Sequence, residues 1–79
     1  MTTVYVVVQD RACEYGPPQA VFSTQDLAKA CVDKLRERQL EIDGIYTSGF
    51  FILPYTIDSA SEPSEKALLI GRDGKIEVL

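Results

Sequence analysis

The chain has 79 residues, of which 46% are apolar, 25% charged and 9% aromatic, with five glycines and four prolines; this composition admits one small globular domain over residues 1–79 and little else. Twelve acidic residues against eight basic ones leave a net charge of −4, which repels a phosphate backbone and argues against direct nucleic-acid binding. Histidine is absent, which removes the commonest general base and the commonest zinc ligand, and with them any classical triad.

Residues 2–10 (TTVYVVVQD) are rich in β-branched side chains and read as a strand. Val4, Val6 and Val8 share one face, while Tyr5 and Val7 occupy the other. Residues 11–19 contain Gly16-Pro17-Pro18 and read as a loop, followed by a short returning strand at residues 20–22. Ser23 then has the position of a helix N-cap answered by Asp26, with Phe22 and Leu27 spaced as a hydrophobic staple. Leu27, Cys31 and Leu35, widened by Ala28 and Val32, make the apolar stripe of a one-faced helix that Asp43-Gly44 stops.

Residues 45–57 (IYTSGFFILPYTI) hold the densest aromatic and β-branched content, which predicts a central or near-central strand kinked at Gly49 and brought to an edge or bulge by Pro54. Residues 58–66 are small and charged and read as a surface loop or at most one helical turn. Residues 67–71, Arg72-Asp73-Gly74 and residues 75–79 spell a β-hairpin, since Asp-Gly supplies the positive φ of a tight turn. The fold class expected is α+β: a single, mainly antiparallel sheet with one amphipathic helix packed on one face, in the order ββαβββ.

Val4-Tyr5-Val6-Val7, Glu14-Tyr15-Gly16, Val21-Phe22-Ser23-Thr24 opening an alanine-containing helix, and an aromatic strand ending Tyr55-Thr56-Ile57-Asp58 together resemble a group of short, largely uncharacterised bacterial and phage proteins. The likeness covers roughly residues 3–58 and leaves the C-terminal hairpin outside it. It implies an α+β fold and a bacterial or phage setting, and brings no catalytic residue and no ligand.

Catalytic chemistry, a metal and a cofactor are none of them expected. Cys13 and Cys31 are too few for a disulfide framework and read as free thiols; Arg11 favours a reactive Cys13 and Glu14 opposes it. Asp10, Glu14, Glu41, Asp43 and Asp58 lack the spacing of a calcium loop and read as solvated turn carboxylates. Gly71-Arg72-Asp73-Gly74-Lys75 lacks the strand-loop-helix context of a phosphate loop and reads as a turn. No apolar run exceeds five residues, so no membrane span or secretory segment is expected, and the expected location is the cytoplasm.

What remains is an apolar surplus. If Val4, Val6, Val8, Ile45, Phe51, Leu53, Leu68, Ile70, Ile76 and Val78 face the helix, alternation puts Tyr5, Val7, Tyr46, Phe50, Ile52, Leu69 and Leu79 on the other side of the sheet, where no second helix covers them. These seven form the expected binding surface, with Tyr5, Phe50 and Ile52 as central anchors. The function expected is protein binding, either as a homodimer or as a phage or mobile-element protein that inhibits or modulates a host protein. On this expectation, Phe50→Asp abolishes association and leaves the helix intact. The alternatives are a small-molecule or peptide sensor, binding between the Gly16 loop and the sheet edge, and an acidic DNA mimic.

Overall fold

The computed structural model describes residues 2–11, 14–57 and 65–79. Strand β1 (Thr2–Arg11) pairs with β2 (Glu14–Phe22), helix α1 (Gln25–Asp43) follows, and β3 (Phe50–Ile57), β4 (Leu68–Ile70) and β5 (Ile76–Val78) complete the fold. The five strands form one antiparallel sheet in the order β2-β1-β3-β4-β5. The fold is thus α+β with the order ββαβββ.

The first hairpin is longer than residue chemistry suggests. Residues 14–19 belong to β2 rather than to a loop, with Arg11 opposite Glu14, Asp10 opposite Tyr15 and Val8 opposite Pro18. Two register shifts lie between Val7 and Asp10, so irregular pairing absorbs Gly16-Pro17-Pro18. Prolines are tolerated there because β2 is an edge strand, whose outer amide groups have no ladder to serve.

Helix α1 begins one residue later than expected. Thr24, not Ser23, is the N-cap, and its hydroxyl accepts from the Leu27 amide at 3.2 Å. The shift removes the staple spacing, and Leu27 is exposed while Phe22 packs on the core. Ala28 and Val32 are the buried residues of the stripe, with Leu35 half-buried against the same core and Cys31 half-buried as a free thiol. Cys13 lies outside the described residues. At the other end Gly44 is left-handed and its amide donates to the Leu40 carbonyl at 3.0 Å.

Strand β3 starts at Phe50, so Ile45 and Tyr46 belong to the connection from α1 and not to the sheet. Gly49 is needed at that junction: a Cβ there would lie 2.6 Å from the Ile70 carbonyl oxygen. Pro54 falls beyond Ile52, the last β3 residue paired with β4, where β3 meets only β1 among the described residues.

The faces of β1 and β3 are the reverse of those expected, with Val6, Val8, Phe51 and Leu53 on the helix-free side, whereas Leu68 and Ile70 of β4 lie under the helix as expected. α1 lies chiefly over β1, β2 and β3, and the core beneath it is Tyr5, Val7, Phe50, Ile52, Leu68 and Ile70 with Ala28 and Val32. Tyr5, Val7, Phe50 and Ile52 are therefore core residues under the helix and not an open surface. The physical reason is that β1 and β3 are apolar on both sides, so alternation separates the faces without saying which one the helix takes. Strands β2 and β3 each run antiparallel to β1, hence parallel to one another, and handedness of the β2-α1-β3 crossover sets the covered side.

Leu69 is on the helix-free face as expected, but with Phe51 opposite it and not with Ile52, because Leu68 is the partner of Ile52. That face is closed at its centre, where Val8, Phe51 and Leu53 are buried with Val6, Ala67 and Leu69 packed around them. The Tyr15 ring meets Phe51 edge-on, with centroids 4.9 Å apart. The expected loop at 58–66 falls largely outside the described residues.

Candidate functional site

Of the seven residues expected to bind, four sit in the core, Leu69 is half-buried, and only Tyr46 and Leu79 are exposed. Tyr46 is engaged within the chain. The Arg36 guanidinium lies over its ring, 4.4 Å from Cζ to the centroid, and donates from Nη2 to the Arg72 carbonyl at 3.3 Å. Arg36 thereby ties α1 to the connection before β3 and to the β4-β5 turn. Gln39 fixes the same connection: its Oε1 accepts from the Thr47 amide at 3.3 Å, and its Nε2 donates to Ser48 Oγ at 2.8 Å. Gln9 Nε2 donates to that hydroxyl from β1 at 2.9 Å.

A concavity of about 360 Å³ opens next to these contacts, lined by Asp10, residues 47–49, Leu69, Gly71 and Arg72. Asp10 Oδ1 is buried there without a hydrogen-bond partner among the described residues. A second, of about 190 Å³, lies between Gln9, Leu35, Gln39 and Phe50. Gly16 lines neither of them. Among the described residues no three Cys, Asp or Glu side chains converge on one point, and Asp58 lies outside them. Lys75 and Arg72 flank a plain hairpin turn, in which the Gly74 amide donates to the Gly71 carbonyl at 3.0 Å and the Lys75 amide to Asp73 Oδ1 at 3.0 Å. Gly74 has φ 85°, the left-handed conformation that closes a three-residue turn of this kind.

The two edges of the sheet differ in chemistry. β2 carries Pro17 and Pro18, a device that blocks strand addition. β5 carries no proline, and Ile76, Val78 and the adjoining Leu79 are 52%, 68% and 50% exposed. Register places Ile76 opposite Ile70 and Val78 opposite Leu68, so both side chains lie on the helix side of the sheet and yet remain exposed. Lys75 and Glu77 alternate onto the other side.

Backbone directions along β5 follow from its ladder. The Leu79 amide donates to the Ala67 carbonyl at 2.9 Å, and the Gly71 amide donates to the Lys75 carbonyl at 3.0 Å. Residues 75, 77 and 79 thus turn their peptide groups toward β4, and the antiparallel alternation turns those of Ile76 and Val78 outward. No strand pairs with that outer edge among the described residues.

Sequence reasoning placed Ile76 and Val78 under the helix and so missed this edge. The signal that finds it is the order of the strands, which composition does not carry. Compared with known protein families, with characterised proteins and with solved structures, the chain finds no match. No helix of the described residues is long and apolar enough to cross a membrane.

Proposed function

We propose that this chain is a non-catalytic protein-binding module that engages its partner through the outer edge of β5. The observation that carries the reading is the coincidence, on one strand, of outward-facing peptide groups with exposed Ile76 and Val78. An added strand finds main-chain hydrogen bonds there, and apolar side chains on one face give it something to bury. The proline-bearing opposite edge limits such pairing to one side of the sheet. The net charge of −4 favours a protein partner over nucleic acid. A partner encoded by a host cell fits the bacterial or phage setting implied by the resemblance.

The test is Val78→Pro. The Val78 amide points away from β4, so proline removes an outward donor and leaves the β4-β5 ladder its own. Proteins captured from the producing cells by the native chain, or its own association in solution, are expected to be lost with this variant while its circular dichroism is unchanged. Capture and association identical in the two chains would overturn the edge as the binding surface.

A further inference from the structure

We infer that the occupant of this edge is a second copy of the same chain, paired antiparallel about a two-fold axis at Ile76. The inference rests on the reading of β5 as the associating strand and goes further by fixing the partner and the register. An antiparallel strand pair related by a two-fold axis is closed and self-complementary, so one short strand serves both protomers.

Residues directly opposite must point to the same side of the sheet, which limits the axis to a residue position. Three positions on β5 are open. With the axis at Ile76, its outward N–H and C=O exchange hydrogen bonds with those of Ile76 in the second copy. Lys75 of each protomer then lies opposite Glu77 of the other, in both halves of the pair. These are non-hydrogen-bonded positions, where Cα atoms come within about 4.5 Å and side chains meet most closely.

With the axis at Glu77, the two Glu77 carboxylates oppose one another at that same close spacing, and Lys75 faces Leu79. With the axis at Val78, each Glu77 faces the apolar Leu79, which offers its carboxylate no opposite charge. Opposite charges directly across a strand pair stabilise it and like charges destabilise it, so the alternation Lys75-Ile76-Glu77 selects the first register. In that register the two Ile76 side chains meet on the helix side, each removing exposed apolar surface of the other.

The experiment measures mass by sedimentation across dilution for the native chain, Lys75→Glu, Glu77→Lys, their equimolar mixture and Val78→Pro. The native chain is expected to form a dimer. Each charge reversal alone turns both attractive pairs repulsive and is expected to weaken the dimer roughly tenfold or more. The mixture is expected to regain it, because a strand with two basic side chains then faces one with two acidic side chains. A native chain monomeric at every concentration overturns the second copy as occupant, and the edge itself is then judged by the captured proteins lost with Val78→Pro. Association indifferent to Lys75→Glu but lost with Val78→Pro overturns the Ile76 register and keeps the edge. In this register Val78 lies opposite Gly74 of the second copy, so Ile76→Pro, which removes the central outward donor, is measured beside it, and association that survives both proline variants overturns edge and register alike.

Discussion

The ring of Tyr5 is part of the core beneath α1, while its hydroxyl donates to Glu65 Oε2 ahead of β4. That hydrogen bond to the carboxylate, together with burial and the nearby negative charge, pushes the phenol above its usual range. The neutral phenol is therefore held more firmly in the folded chain than in the unfolded one. Its contribution to stability is complete below pH ~10, where the unfolded phenol titrates, and is lost as pH rises through the higher folded value. Melting temperatures of the native chain and Tyr5→Phe are expected to converge above pH ~10, and curves that stay parallel would deny the Tyr5–Glu65 link a role. The apolar character of position 5 was legible from alternation, but its polar partner 60 residues away was not, since only the fold brings Glu65 to it.

The helix shows at the scale of an element how local rules compete. Ser23 and Thr24 are both capable caps, and sequence spacing alone favoured the serine through Asp26. The structure uses Thr24, which sets the first turn so that Ala28 and Val32 meet the sheet. Thr24→Ala is expected to destabilise the protein by about 1 kcal/mol, lowering the melting temperature by roughly 4–8 °C, whereas Ser23→Ala is expected to be near neutral in the same thermal scan. The C-terminal hairpin was legible because Asp73-Gly74 meets a purely local demand, a positive φ at Gly74. The extended β2 was not, because prolines that break an interior strand are acceptable on an edge, and edge position is a property of the sheet.

Across the whole molecule the decisive fact is which side of the sheet the helix covers. Phe50 lies in the core with Ile52 and Val32, so Phe50→Asp is expected to unfold the chain rather than detach a partner from an intact fold. An unpaired carboxylate in that position costs about 4 kcal/mol or more, comparable to the low end of the ~4–12 kcal/mol that a chain of this size holds. Loss of the helical circular dichroism signal at room temperature checks this, and a folded Phe50→Asp would place the core elsewhere. Removing the expected surface from solvent also moves the candidate site from the sheet face to its edge. The helix-free face is buried at its centre, at Val8, Phe51 and Leu53, whereas β5 combines open peptide groups with exposed apolar side chains.

The sequence by itself determined the element types, their order and the turn chemistry, because strand composition, helix stop and the Asp-Gly turn are short-range properties of neighbouring residues. The tertiary structure decided the strand order, the covered face and hence the candidate site. Strands apolar on both sides give period-two alternation nothing to choose between, and the choice falls to the β2-α1-β3 crossover, which no local pattern encodes.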